Sequence, residues 1–258
     1  MTVWVIARTT FGEALRKKIL NVVMLVAVGM IIFSVSFAFF TAREELTIIK
    51  SMGLGVVAIA GMFIAVVLGI NLVPAEIEKR TIYTILSKPV RRHEFLLGKF
   101  LGALITILVN LLLMSLVFMV MVTWKNQWHP ELALLKGILM IFFQLLLLSS
   151  VALVFSVFTT PVVNFFLTSA VYMVGSLSEI TLSMSRGEGK NPLVKGFYWL
   201  VHYAVPNFAN FFTQNPLIHP DVTIKNEAVY YAQNILYAIV YAAALLIVAI
   251  LAFDRRDM

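Results

Sequence analysis

Five long stretches of this sequence contain no charged residue, and they constrain the fold more than any other feature. They cover residues 19–41, 51–75, 100–124, 137–178 and 228–253. An α-helix needs about 20 apolar residues to cross the ~30 Å hydrocarbon core of a bilayer. One Lys, Arg or Asp at the middle of such a helix costs about 2.5–3.5 kcal/mol. Charge-free stretches of this length are therefore typical of membrane spans.

The composition supports the same interpretation. Of the 258 residues, 61% are hydrophobic and 13% are charged, whereas soluble domains carry roughly 45–50% apolar and about 25% charged residues. So few charged side chains cannot cover the surface of a water-soluble protein of this size. The composition excludes an ordinary cytosolic enzyme, a disordered tail and a nucleic-acid-binding domain, and it indicates an integral membrane protein.

The stretch 137–178 is too long for one span. Thr159, Thr160 and Pro161 interrupt it, and proline breaks a helix because it lacks an N–H donor and clashes with the preceding turn. We therefore predict a single all-α domain over 1–258 with six transmembrane helices. Their predicted bounds are about 19–41, 51–73, 100–124, 137–158, 161–178 and 228–253.

The basic residues predict the orientation, because cytoplasmic flanks carry an excess of Lys and Arg. Twelve of the 20 basic residues lie before the first span, between the second and third spans, or at the C-terminus. We therefore predict a plasma (inner) membrane protein with both termini and the loop 74–99 in the cytoplasm. The net charge of +7 is then a topology signal, and no nucleic-acid partner is expected.

Two segments outside the spans have a recognisable pattern. Trp4, Ala7, Phe11, Ala14 and Leu15 recur at helical spacing, which predicts an amphipathic helix along the inner leaflet; a solvated basic tail is the alternative. The outer loop 179–227 begins with a Gly/Ser-rich part and continues, over 193–218, with many aromatic residues. This aromatic part predicts short helices at the outer interface, where Trp and Tyr are enriched.

The sequence contains none of the motifs expected of an enzyme active site. It contains no Cys, its four His residues form no metal-ligand pair, and neither an H-E-x-x-H nor a G-x-S-x-G motif is present. We predict no catalytic residue and no metal site. The predicted spans also lack the Asp or Glu that ion-coupled carriers place in the membrane. Asn71, Asn110 and Gln144 are candidates for a translocation path, although helix–helix or backbone hydrogen bonds are the favoured explanation of such residues.

The cytoplasmic loop 74–99 carries the most distinctive pattern. Glu76 and Glu78 open it, a short apolar face follows, and Pro89 ends the first element. The pattern predicts a helix–turn–helix on the inner membrane surface. An apolar stripe beside opposite charges suits docking into a groove of a soluble partner, while a loop that only fixes topology is the alternative. Gly98 and Gly102 form a G-x-x-x-G, which permits close helix approach.

The run E-I-E-K-R-T-I-Y-T-I-L-S-K-P-V-R-R-H-E-F-L-L-G-K in this loop resembles the signature loop of type-2 ABC transporter permeases. Six spans, cytoplasmic termini and an N-terminal amphipathic helix resemble the same family. The run Val205-Pro206-Asn207-Phe208 resembles the subgroup that contains the nitrous-oxide-reductase-maturation permease. Arg80 and Arg91 depart from the family pattern, which has Gly and a helix-capping Ser at those positions.

The resemblance implies that the loop is a coupling helix seated in a separate ATPase subunit. The residues it assigns to ATPase coupling are Glu76, Glu78, Arg80, Thr81, Ile82, Tyr83, Ile85, Leu86, Ser87, Pro89, Arg91, Arg92, Gly98 and Lys99. The residues expected to make the docking contacts are Ile82, Tyr83, Ile85 and Leu86. The charged residues expected to orient them are Glu76, Glu78, Arg80, Arg91 and Arg92. The sequence lacks a G-x-x-x-x-G-K-[ST] phosphate loop, so ATP and Mg are expected in the partner and not in this chain.

The resemblance also implies two copies of the ATPase and a second permease, expected to be a copy of this chain. It favours an exporter of a hydrophobic or amphipathic substrate, with a path lined mainly by spans one, two and five. A membrane subunit that anchors an outer partner, or relays ATPase motion to it, is the alternative. An ion channel is a third hypothesis, and it would require conductance without nucleotide.

Overall fold

A computed structural model describes residues 2–38, 45–74, 91–178, 183, 192–212 and 226–255. Within those ranges the regular structure is entirely helical. The helices are α1 (Thr2–Leu15), α2 (Lys18–Ala38), α3 (Glu45–Ile70), α4 (Arg92–Lys125), α5 (Leu134–Phe158), α6 (Pro161–Ser176), α7 (Pro192–Ala204) and α8 (Glu227–Asp254), with a 3-10 helix at Ala209–Phe211. The predicted all-α membrane fold is confirmed.

Five of these helices, α2, α3, α4, α5 and α8, are long and apolar enough to cross a membrane. The remaining predicted span corresponds to α6, which has 16 residues and is about 24 Å long at 1.5 Å per residue. That is shorter than the ~30 Å hydrocarbon core. The break predicted at Pro161 is present, since α5 ends at Phe158 and α6 begins with the proline.

The helices α3 and α5 form the centre of the bundle. In the apolar windows of α3 and α5, 61% and 67% of residues are buried, compared with 28% in α2 and 17% in α8. Helix α3 packs against α2, α4 and α5, and α8 packs mainly against α5. The peripheral helices α2 and α8 therefore expose most of their apolar surface in the single chain.

Helix α4 is longer than the predicted third span. Its 34 residues begin at Arg92 rather than at 100, so residues 92–99 of the predicted cytoplasmic loop form its first two turns. No proline lies between Arg92 and Phe100, so nothing in the sequence prevents the helix from continuing. At 1.5 Å per residue the helix is about 51 Å long, roughly 20 Å more than a bilayer core requires.

The N-terminal segment is a helix that packs on the protein, so it is not a solvated tail. Helix α1 lies along the beginning of α4. Its buried residues are Ala7, Thr10 and Ala14, whereas Trp4 is 64% exposed. The packed face therefore contains Ala7 and Ala14 of the predicted stripe together with Thr10, and the large residue Trp4 lies outside it.

The aromatic outer segment forms the predicted short helices, and its second part packs along α8. The Tyr241 hydroxyl donates a hydrogen bond to the Ala204 carbonyl at 3.2 Å, at the end of α7. Tyr241 lies about 21 Å along α8 from Glu227 at 1.5 Å per residue, close to the middle of that helix. Residues 204–211 then return along α8 towards its beginning, and Phe208 and Phe211 are buried.

Candidate functional site

The candidate site is the face of the bundle where α4 begins. Ten of the residues predicted for ATPase coupling lie outside the described part of the chain: Glu76, Glu78, Arg80, Thr81, Ile82, Tyr83, Ile85, Leu86, Ser87 and Pro89. Their roles stay predictions. The other four, Arg91, Arg92, Gly98 and Lys99, lie in the first turns of α4 or directly before it. The structure brings Arg92 against the end of α8, and Gly98 and Lys99 against α1.

Glu94 caps the beginning of α4. Arg91, at the N-cap position, has an extended backbone with φ −72° and ψ 144°. Its backbone N–H donates to Oε2 of Glu94 at 3.2 Å, which is the half of a capping box supplied by the third helical residue. A carboxylate in the first turn also interacts favourably with the helix dipole. The helix start is therefore capped although Arg91 replaces the family's usual Ser.

Arg92 connects the beginning of α4 to the end of α8. Its Nη1 donates to the carbonyl oxygens of Phe253, at 3.2 Å, and Asp254, at 3.1 Å. These are among the last carbonyls of α8, which have no partner within the helix and carry the negative end of its dipole. One turn further along α4, the Phe95 ring stacks on Phe253 with 6.2 Å between ring centroids. The two helix ends are thus joined by polar and apolar contacts.

Gly98 and Gly102 allow α1 to lie directly against the backbone of α4. A Cβ atom at Gly98 would lie 2.7 Å from Cβ of Ile6 and 2.9 Å from the Val3 carbonyl oxygen. At Gly102 a Cβ would lie 2.6 Å from the Ala7 carbonyl oxygen. Because both residue numbers increase together along the contact, the two helices run parallel. The close approach predicted from the G-x-x-x-G is present, and its partner is the N-terminal helix.

Lys99 is buried at this contact, with 6% of its surface exposed. Its Nζ lies 3.7 Å from Oε2 of Glu13 on α1 and 5.9 Å from the centroid of the Phe95 ring. A buried ammonium group is costly unless it is paired. Lys99 therefore links α1, through Glu13, to the aromatic pair that holds the end of α8.

The three candidate path residues form hydrogen bonds within the protein. The side-chain amides of Asn71 and Asn110 donate, each at 2.9 Å, to carbonyl oxygens one turn earlier in their own segments, those of Val67 and Thr106. Nε2 of Gln144 lies 3.4 Å from the Tyr172 hydroxyl on α6. The structure does not bring the three into one hydrogen-bonded cluster. Each has the kind of contact expected of a polar residue between packed helices.

The sequence analysis missed a polar stripe on α8 that holds the outer segment. Tyr230, Asn234, Tyr237 and Tyr241 follow one another at helical spacing, and each contacts residues 204–210. The Tyr230 hydroxyl donates to the Asn210 carbonyl at 2.7 Å. The Asn207 backbone N–H donates to the Tyr237 hydroxyl at 2.9 Å. The signal in the sequence was the recurrence of Tyr and Asn at i, i+4, i+7 and i+11 in an otherwise apolar helix.

Asn207 organises the turn that this stripe contacts. Its Oδ1 accepts the Ser178 hydroxyl at 2.6 Å and the Ala209 N–H at 3.0 Å, and the second bond is that of an Asx-turn. The Phe208 N–H donates to the Gly175 carbonyl oxygen at 3.1 Å, and the Pro206 carbonyl oxygen lies directly against Gly175. The turn is therefore fixed between the end of α6 and α8.

Ion pairs join the helices at the opposite face from the beginning of α4. Lys125 pairs with Glu45, Lys50 with Glu131 at 2.6 Å, and Lys136 with Glu227. Three of the basic residues predicted to be outside thus have acidic partners. The pairing joins the helices at this face, and the orientation of the bundle in the membrane stays a prediction.

Two open grooves run along the apolar surface of the bundle. One, of about 320 Å³, lies between α2 and α3 and has only apolar lining residues, among them Met30, Ile59 and Phe63. The other, of about 590 Å³, lies between the ends of α5 and α8, and its lining includes Phe158, Leu251 and Arg255. The two grooves therefore differ in charge, since an arginine lines only the second.

Comparison with known proteins identifies the family to which this chain is similar. A family model of ABC-2 family transporter proteins matches residues 4–258. A search of curated proteins found no match to the chain. The family match covers all eight helices described here, including the parts of α1, α4 and α8 that meet at the candidate site.

Proposed function

This chain belongs to the ABC-2 family of transporter proteins, and we propose that it exports a hydrophobic or amphipathic substrate. Membership makes it the membrane-embedded permease subunit of an ABC transporter, whose ATPase is a partner. We further propose that two ATPase subunits act on a pair of identical permeases. Each ATPase would engage the loop 74–99 of one permease, so that ATP is bound and hydrolysed outside this chain.

One observation carries the coupling proposal: the first turns of α4 are joined to both α1 and α8. Glu13 on α1 and Phe253 on α8 contact Lys99 and Phe95, respectively. A force applied to the loop before Arg91 would therefore move α1, α4 and the end of α8 together. The contacts explain how a docking event beyond the membrane surface would reach the bundle.

Helix α4 is long enough to transmit such a motion from one face of the bundle to the other. It runs without interruption from Arg92 to Lys125, over about 51 Å, and Lys125 pairs with Glu45 at the opposite face. Packed helices move as rigid bodies. A tilt of the beginning of α4 would therefore also move its end, and with it the beginning of α3 at the opposite face of the bundle. Alternating exposure of a path to the two sides requires this kind of connected movement.

The apolar groove between α2 and α3 supports a hydrophobic substrate. Its lining residues are all aliphatic, thioether or aromatic, so a polar solute would lose hydration there without gaining hydrogen bonds. In a paired permease this groove would form part of the wall between the two copies. The substrate class proposed here follows from that chemistry and from the predicted path along spans one, two and five.

A specific observation favours a second function, the relay of ATPase motion to an outer partner. The outer segment is anchored by backbone hydrogen bonds to α8, while Trp199 and Tyr203 on α7 are 57% and 64% exposed. Exposed aromatic residues on a fixed support are common in protein interfaces. In this alternative, α7 would contact the partner and no solute would cross.

Reconstitution with the ATPase subunit tests the proposal. ATP-dependent movement of a fluorescent amphipathic solute across vesicles supports export, whereas ATP-dependent change at α7 without flux supports the relay. Tyr83→Ala and Glu78→Lys are expected to uncouple ATP hydrolysis from either output while expression is retained. Glu188→Lys, a charge reversal in the outer loop 179–227, is the matched control for Glu78→Lys. Unchanged coupling in both loop variants would overturn the docking proposal.

A further inference from the structure

The groove between the ends of α5 and α8 has a polarity that suits a particular ligand. Val157 and Phe158 line it from α5, and Val248, Leu251, Ala252 and Arg255 line it from α8. Helix α5 ends at Phe158, and the chain turns away into α6 through an extended Thr159 with φ −121° and ψ 163°. Helix α8 continues to Asp254. The groove opens where these two helices stop running side by side.

The wall of this groove is apolar and exposed. Phe158 and Leu251 are 62% and 57% exposed, and both belong to helices long enough to span the membrane. Arg255 is the one charged lining residue, and it directly follows α8. An arginine at the end of a span extends to the membrane interface, where lipid phosphates lie. The groove thus combines a hydrocarbon wall with a cationic rim.

Arg255 has no acidic partner within the described residues, since the ion pairs found there involve lysines at other positions. Its neighbour Asp254 accepts a hydrogen bond from Arg92 through the backbone carbonyl. A guanidinium group binds phosphate oxygens in bidentate fashion, with charge-assisted hydrogen bonds. The charge at the rim is therefore complementary to a phosphate group.

We propose that this groove binds an anionic phospholipid, with one acyl chain along Phe158 and Leu251 and the phosphate on Arg255. Such a lipid has a net negative charge. A zwitterionic lipid also carries a positively charged headgroup, which would lie close to Arg255 and repel it. A lipid bound here would contact α8 directly before Phe253, the residue held by α4. Its presence would therefore stabilise the end of α8 on which the Arg92 contact depends.

Tryptophan quenching by brominated lipids tests this site in the full chain. Phe158→Trp is reconstituted in phosphatidylcholine vesicles that contain either brominated phosphatidylglycerol or brominated phosphatidylcholine at the same fraction, and the signal of the unsubstituted protein is subtracted. We expect about fivefold preferential binding of the anionic lipid, which corresponds to about 1 kcal/mol for one arginine near the membrane surface. Adding Arg255→Gln should remove the preference, and adding Arg255→Lys should retain most of it.

Two matched controls separate a site from general attraction. Phe166→Trp reports the surface of α6, a helix without charged residues in which Phe166 is 67% exposed, and should show equal quenching by the two lipids. Arg16→Gln removes an equal charge outside the groove and should leave the preference at Phe158→Trp intact. The proposal is overturned if the two lipids quench Phe158→Trp equally, or if Arg16→Gln removes the preference as fully as Arg255→Gln. Absence of quenching by either lipid would show that protein fills the groove, and would also overturn it.

Discussion

Gly102 of α4 lies against the carbonyl oxygen of Ala7 on α1, so closely that a Cβ atom at Gly102 would be 2.6 Å from that oxygen. The same Cβ would lie 2.6 Å from Cβ of Thr10. Thr10 is itself fixed, since its hydroxyl donates to the Ile6 carbonyl at 2.8 Å. Neither neighbour is the far end of a flexible side chain, so the contact depends on the absence of a side chain at position 102.

Gly102→Ala should separate α1 from α4. Overpacking of a close contact typically costs about 1–3 kcal/mol, so we expect a lower apparent Tm for the detergent-purified protein. The control is Gly12→Ala on α1, where a Cβ meets nothing within 4 Å. That variant should be equal to or slightly more stable than the parent, because Ala is favoured over Gly in helices by about 0.5–1 kcal/mol. Equal Tm values for the two variants would contradict the packing described here.

The sequence predicted this contact only in part. The spacing of Gly98 and Gly102 indicated close helix approach, but spacing does not specify the partner. The partner face consists of Ala7, Thr10 and Ala14, small residues that a hydrophobicity pattern does not distinguish from their larger neighbours. The spans were predictable for the opposite reason. A charge inside a bilayer is costly, so each span is recognisable within its own segment as a long stretch without charged residues.

Arg92→Met should loosen the last turn of α8. The substitution removes two charge-assisted hydrogen bonds to the Phe253 and Asp254 carbonyls, a contribution of about 1–2 kcal/mol at a helix C-terminus. Backbone amides of residues 251–255 should therefore exchange with deuterium about 5–30 times faster. Hydrogen-exchange mass spectrometry of the C-terminal peptide measures this.

Arg91→Met is the matched control for that measurement. Arg91 is the adjacent arginine and is exposed, and the contact it makes with Glu94 uses its backbone N–H. The substitution should leave exchange in the end of α8 unchanged. If both variants accelerate exchange equally, the effect of Arg92→Met comes from the loss of a positive charge and not from the loss of the hydrogen bonds to α8.

Contacts between distant parts of the chain were beyond sequence reasoning. Arg92 and Phe253 are 161 residues apart, and no local pattern in either segment indicates the other. The packing of the outer segment was beyond sequence reasoning for a related reason. Its aromatic residues suggested the interface, and no local pattern indicated that Phe208 and Phe211 are buried or that Tyr side chains of α8 form hydrogen bonds with backbone groups of the segment.

Tyr237→Phe should release the outer segment from α8. The Tyr237 hydroxyl accepts the Asn207 N–H at 2.9 Å, and a buried donor left without a partner costs about 1–3 kcal/mol. Exchange of amides in 205–212 should increase at least about fivefold. Tyr231→Phe is the control, since the Tyr231 ring contacts Lys136 through its face and that contact survives loss of the hydroxyl. Unchanged exchange in Tyr237→Phe would contradict the proposed anchoring.

The orientation of the bundle can be tested with single cysteines, because the chain contains none. Arg91→Cys lies at the face where α4 begins, and Trp128→Cys lies at the opposite face, in an exposed turn where Trp128 is 74% accessible. We expect a membrane-impermeant maleimide to label Trp128→Cys on intact cells, and to label Arg91→Cys only after permeabilisation. Both positions are exposed and lie near helix ends. The two cysteines should therefore react at comparable rates once the maleimide can reach them. The opposite pattern would place the loop 74–99 outside the cell, where no ATP-driven subunit could engage it, and the coupling proposal would fail with the orientation.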